Sequence, residues 1–291
     1  MEKILITGSM GQLGLELSHL LREQESYETL ETVRVSGSKD IIELDITDEI
    51  AVSSIIDDFR PNIIINCAAM TAVDLCESQE DKAYKINALG PKYLALGAEK
   101  VGAKMIHIST DYVFDGQTTS PYIEKDPTGP NTVYGKTKLA GEQFVLENCS
   151  KSFVIRTAWL YGQGKNFPRT MLRLAKEGRD IKVVADQFGS PTSALELARV
   201  VTFLMGTESY GVYHASCEGK ISWYEFALKI FEEAGVEVSV EPIPTSQYPT
   251  PARRPMYSVL DNKALRDCHN YYMKEWKEAF SEFMADEMKK F

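Results

Sequence analysis

Lys3-Ile4-Leu5-Ile6-Thr7-Gly8-Ser9-Met10-Gly11-Gln12-Leu13-Gly14 runs from an apolar strand through a glycine turn into a helix that begins near Gly11. In that order the three parts bring backbone amides and a helix N-terminus against a pyrophosphate, and the missing side chains of Gly8, Gly11 and Gly14 permit the close approach. A glycine triplet alone is often only a tight turn. The strand before it and the helix after it make this one a dinucleotide-binding fingerprint, with Met10, Gln12 and Leu13 inside the turn.

Outward from this turn, the first half of the chain alternates short β-branched runs with helix-length stretches. Lys3-Thr7, Thr32-Val35, Ile41-Asp45, Ile63-Asn66, Lys104-Ser109 and Phe153-Thr157 read as strands. Runs as continuously apolar as Ile63-Ile64-Ile65 suit a parallel sheet covered on both faces, so the expected class is α/β. The predicted fold is a doubly wound Rossmann sheet with right-handed crossovers, spanning 1–161. Residues 162–291 are expected to form mainly a smaller mixed α/β substrate lobe, with some segments returning to the first domain. Helices are predicted over Asn166-Glu177, Ala194-Met205 and Ser222-Ala234, the last two opened by capping boxes at Ser193/Glu196 and Ser222/Glu225. Pro242, Pro244, Pro249, Pro251 and Pro255 mark a stretch that reads as a long loop or a partner-contacting segment.

Composition narrows the function. The 291 residues, 44% of them hydrophobic, can bury a sizeable core, and a formal charge of -10 without a dense Lys/Arg run argues against nucleic acid as a partner. Five scattered cysteines, with no Cys-x-x-Cys pair, read as reduced thiols. Met1-Glu2-Lys3 runs straight into a strand and no apolar run reaches membrane-spanning length, so the expectation is a cytoplasmic protein without membrane contact. The four histidines lack metal-site spacing, and Glu16 and Glu196 read as ordinary surface helix carboxylates, so no metal is expected.

Two tyrosines have a lysine four residues on, Tyr134 with Lys138 and Tyr161 with Lys165. A helix starting near Thr132 or Val133 would fix the first pair on one face, where an ammonium favours ionisation of a phenol whose ordinary pKa is about 10. Glycines at 162 and 164 leave the second pair without a helix, and Tyr161 reads as a pocket wall or loop residue. Thr110 ends a strand at the carboxyl edge of the sheet, where its hydroxyl can hold a carbonyl oxygen. Thr110, Tyr134 and Lys138 together with the glycine turn describe a nicotinamide-dependent oxidoreductase. No carboxylate stands at the tip of the second strand, since Glu31 falls too early; Arg34 and Lys39 with nearby serines favour NADPH, with NADH as the alternative.

Thr7-Gly8-x-x-Gly11-x-x-Gly14, Asn66-Cys67-Ala68-Ala69, Asn87 and the Thr110, Tyr134, Lys138 set resemble the extended short-chain dehydrogenase/reductase superfamily. More narrowly, five ordered segments resemble the dTDP-4-dehydrorhamnose reductase family: Thr71-Asp74, Ser109-Gly116, Arg156-Gly162, Gln187-Thr192 and Arg254-Asp261. The resemblance covers nearly the whole chain. It implies a nucleotide-sugar substrate whose 4-keto group is reduced, with Tyr134 as proton donor and Lys138 also holding the nicotinamide ribose. It further implies Asp45, Ile46, Ala68 and Ala69 beside the cofactor, and Thr71, Val73, Tyr112, Trp159 and Arg254 around the substrate. Nucleotide-sugar dehydratases resemble the chain too but carry Thr-Asp-Glu where Thr110-Asp111-Tyr112 stands, so dehydration lacks its base. A reductase or epimerase of another 4-keto sugar, and a non-catalytic NADP-binding subunit resembling the β subunit of methionine adenosyltransferase, are the alternatives. A homodimer stays open.

Overall fold

The computed structural model describes residues 1–35 and 41–289. Seven parallel strands form the main sheet: β1 (Glu2–Thr7), β2 (Tyr27–Val33), β3 (Ile42–Glu43), β4 (Ile63–Asn66), β5 (Lys104–Thr110), β6 (Ser152–Thr157) and β7 (Gly211–His214). Their order is β7-β6-β5-β4-β1-β2-β3, so the strand sequence reverses between β1 and β4. Ligand crevices of doubly wound sheets open at such a reversal.

Successive side chains of a strand point to opposite faces, which explains the unbroken apolar runs. Ile4, Ile6, Ile63 and Ile65 pack with Leu17 and Leu21 of the helix Gln12–Arg22 and with Leu197 and Val201 of the helix Ala194–Met205. Leu5 and Ile64 pack on the other face with Ile56, Leu94 and Val145, from the helices Glu49–Phe59, Gly90–Val101 and Val133–Asn148. A separate cluster joins Met171, Val183, Phe226, Ile230 and Phe280, beyond the last residues of β6. The helix Ala194–Met205 and β7 return to the main sheet.

Several elements depart from the sequence reading. β2 begins at Tyr27, well before Thr32, because this strand next to the sheet edge is half-buried along most of its length, includes Glu28 and Glu31, and carries no apolar run. β3 shrinks to Ile42–Glu43. The proline-rich stretch is not simply a loop: Val240–Ile243 pairs in parallel with Ile181–Val184, and Thr245–Gln247 forms a short 3₁₀ turn. Ser222 and Glu225 make the reciprocal cap, but Ser193 makes no side-chain cap. Glu196, 5% exposed and therefore no surface carboxylate, instead pairs with Arg199 and lies 3.5 Å from Lys274.

Candidate active site

The glycine turn emerges from β1 and meets the loop after β4. Gly8 has φ +70°, and a Cβ there would lie 2.7 Å from Ala68 N; a Cβ on Gly14 would lie 2.5 Å from Gly8 O. Both positions therefore demand glycine. Gly11 caps the helix Gln12–Arg22 without a side-chain hydrogen bond, leaving its first amides for an anion.

Two adjoining cavities run from this turn. One, of about 460 Å³, is walled by Gly8, Met10, Arg34, Asp45, Ile46 and Ala68, with Ala69 and Gly11 at its inner end. The other, of about 510 Å³, shares Gly11, Cys67, Ala69 and Thr71 with the first and continues past Gln12, Leu13 and Gly14 to Thr110, Tyr134 and Lys138. Val73, Tyr112 and Trp159 line the same cavity, and Arg254 lies in a smaller pocket that shares Tyr112 with it. The other expected site residues thus line the two adjoining cavities, with Arg254 in the pocket next to them. Lys39 falls outside the described residues.

Tyr134 and Lys138 sit on the helix Val133–Asn148, whose first turn Thr132 fixes by accepting from Gly135 N at 3.0 Å. Tyr134 is 8% exposed, and Tyr112 packs edge-on against its ring with centroids 5.4 Å apart. Burial pushes the phenol's pKa up; the Thr110 hydroxyl beside it pulls the other way. The net shift is upward, contrary to the sequence expectation, because burial outweighs the favourable contacts; Lys138 Nζ donates to Ile108 O at 2.5 Å, with His107 Nε2 at 3.5 Å. Tyr134 therefore keeps its proton at neutral pH, which suits an acid. Burial pulls Lys138 itself down to about 8 and pushes Asp111, which accepts from Thr110 Oγ1 at 2.8 Å, up to about 6.

A buried polar line ties this group to the glycine turn. Asn66 Oδ1 accepts from Thr7 Oγ1 at 2.7 Å and from Ala68 N at 3.1 Å, which leaves its Nδ2 to face His107 Nδ1 at 3.0 Å. Since the Ala68 N–H can only donate, it fixes Oδ1 as the acceptor; Asn66 Nδ2 therefore donates to His107 Nδ1, and the neutral imidazole carries its proton on Nε2. Burial lowers the His107 pKa well below the ordinary range. Asn87 performs the matching task on the other side. It sits in a π-helical turn, Lys85–Leu89, and donates to Met70 O and to Thr137 on the catalytic helix.

On the far wall Trp159, held at φ +47°, stacks on Trp223 with centroids 3.4 Å apart and donates to Ser258 Oγ at 3.1 Å. Trp223 also lines the larger cavity and was missed in the sequence, where it reads only as the first residue after a cap. Arg254 bonds Asp74 Oδ2 at 2.6 Å and donates to the Tyr112 hydroxyl at 3.2 Å. Tyr161 is no pocket wall: it is 1% exposed and packed among Phe226, Phe280 and Phe283, as its apolar ring favours. Its former companion Lys165 does line the cavity.

A family model described as RmlD substrate binding domain matches residues 1–289. The chain belongs to the RmlD family. Among similar proteins is the spore coat polysaccharide biosynthesis protein SpsK of Bacillus subtilis, 42% identical over 287 residues and 98% of each chain. The crystal structure of a dTDP-4-dehydrorhamnose reductase from Clostridium acetobutylicum superposes with a TM-score of 0.93 at 48% identity over 99% of each chain. That of the dTDP-4-dehydrorhamnose reductase from Bacillus anthracis, solved in complex with NADP, gives 0.91 at 41% identity over 98% of this chain and 99% of that one. The RmlD match is a full-length one, so it extends over the glycine turn, the Tyr134 helix and the Trp159 wall together. Among the described residues no helix is long and apolar enough to cross a membrane.

Proposed function

We propose that this chain is a cytoplasmic, NADPH-dependent reductase that converts the 4-keto group of dTDP-4-dehydro-L-rhamnose to the alcohol of dTDP-L-rhamnose, for surface polysaccharide. The observation that carries the reading is one cleft running from a glycine turn without room for side chains to a buried Thr110/Tyr134/Lys138 group, in a chain of the RmlD family. The cradle fits a dinucleotide, because both glycines face backbone that any Cβ would strike and the helix behind them has unpartnered amides. A nicotinamide cofactor in this cradle supplies the hydride.

The chain's own residues supply the rest. Tyr134, protonated at neutral pH, donates its proton to the keto oxygen as negative charge grows there. Thr110 hydrogen-bonds the same oxygen and so stabilises that charge. Lys138 holds the cofactor ribose from within the cleft, and its lowered proton affinity lets it return a proton towards Tyr134. Asp45 and Ile46, which line the outer cavity, would flank a bound adenine, and Arg34, next to the end of β2, would meet a 2′-phosphate. Thr71, Val73, Tyr112 and the Trp159 wall enclose the sugar, while Arg254, preset by Asp74, faces the nucleotide diphosphate as a forked donor. Tyr112 occupies the place where a dehydratase carries glutamate, so water loss has no base there.

The direct test uses NADPH deuterated at the transferred position, with dTDP-4-dehydro-L-rhamnose as substrate. The product expected is dTDP-L-rhamnose bearing deuterium at C4 by NMR and mass spectrometry. Deuterium elsewhere, or a sugar other than rhamnose, would reject this chemistry.

A further inference from the structure

Tyr161 and Lys165, four residues apart but not on one helix, part company in the fold: the tyrosine enters the core and the lysine enters the cleft. Lys165 is exposed, and its cavity carries just one other cation among the described residues, Lys138, which is 2% exposed and lies with the Thr110/Tyr134 group. No acidic side chain pairs with Lys165 among the described residues.

The loop that carries it is nevertheless anchored. The next residue, Asn166, is 9% exposed, donates to Gly162 O at 2.6 Å and to Gln12 Oε1 at 3.1 Å, and accepts from Arg169 N at 3.0 Å. Gln12 is the first residue of the helix behind the glycine turn. The loop Gly162–Asn166 is therefore tied to the very helix end whose amides are free. An ammonium that lines the same cavity as Gly11, Gln12, Leu13 and Gly14, with no carboxylate paired to it among the described residues, has the composition of a diphosphate site: directional hydrogen bonds from the backbone and one mobile point charge.

We infer that Lys165 binds the diphosphate of a nucleotide in this cleft, closing the glycine turn from the opposite side. This inference rests on the nucleotide-dependent reading above. Two diphosphates share that chemistry, the cofactor's pyrophosphate and the nucleotide sugar's diphosphate, and the bond between Asn166 and Gln12 favours the cofactor's.

The experiment measures NADPH affinity by fluorescence and dTDP affinity by calorimetry for wild type, Lys165→Met and Lys165→Arg. Lys165→Met is expected to weaken one nucleotide about tenfold, an effect that shrinks in high salt, while Lys165→Arg stays within about threefold of wild type. Loss confined to NADPH assigns the cofactor pyrophosphate, and loss confined to dTDP assigns the sugar nucleotide. Equal affinity of Lys165→Met and wild type for both nucleotides overturns the inference and leaves the reductase reading intact. If wild type binds neither, the nucleotide reading falls and the inference with it. Melting temperature serves as the control and should not move, since the Lys165 side chain makes no hydrogen bond within the described chain.

Discussion

Asn87 grips Met70 by both backbone groups, accepting from Met70 N at 2.8 Å and donating to Met70 O at 3.1 Å. Through a further bond to Thr137 at 3.2 Å it couples the loop after β4 to the helix of Tyr134 and Lys138. The spacing between the two halves of the cleft is thus set by one buried amide.

Asn87→Ala should therefore hurt both stability and substrate handling. Leaving two buried backbone groups unpaired costs about 2–4 kcal/mol, read as a lower urea midpoint with an unchanged slope. KM should rise with it. An unchanged midpoint would show that the grip contributes nothing.

Lys138 gives the pH dependence of turnover its alkaline limit. With its pKa held at about 8 by burial, the ammonium disappears as pH rises through that value, and the reduction rate should fall above it. Lys138→Arg stays charged, so any residual activity it keeps should be flat from pH 7 to 10. A wild-type profile that is also flat over that range would remove Lys138 from the proton path.

Asp111 is expected to make the fold less stable at higher pH. Its folded pKa of about 6 exceeds the ordinary 3.8, so its contribution is fully present below about pH 4 and is lost as pH rises through 6. Asp111→Asn keeps an acceptor for Thr110 and should be more stable than wild type at pH 8 by about 2 kcal/mol, the difference shrinking as pH falls to 5. Denaturant titrations at the two pH values decide it.

Arg156 and Glu142 form a buried pair at 2.7 Å, 6% and 2% exposed, under the ring of Phe114. Removing one partner strands a charge, so Glu142→Gln should cost about 3–5 kcal/mol in thermal or urea unfolding. Replacing both with apolar residues of similar size should recover most of that loss. Arg156 belongs to one of the segments that carry the family resemblance, yet its task here is structural.

How much of this was legible depended on whether the signal was local. The strand, turn and helix around Gly8 read correctly because each part is specified within a dozen residues, and Ile63-Ile64-Ile65 announced a strand covered on both faces. β2 was misplaced because a half-buried strand next to the sheet edge has no need of an apolar run. Ser193 had the right neighbour for a cap, but Arg199 and Lys274, distant or on the same helix, claimed Glu196 instead. Lys165 and Trp223 enter the cleft through the packing of the second half of the chain, which no spacing rule encodes. The direction of the Tyr134 shift was illegible for a similar reason: four residues on a helix set the distance between two Cβ atoms, not how deeply the phenol is buried.

The most direct test of the account follows NADPH oxidation with dTDP-4-dehydro-L-rhamnose for wild type and Tyr134→Phe, with NADPH affinity measured for both. The account predicts rapid turnover by wild type and a loss of about 100-fold or more in kcat for the variant, at unchanged cofactor affinity. Turnover that survives in Tyr134→Phe, or tight NADPH binding by wild type without turnover, would contradict it.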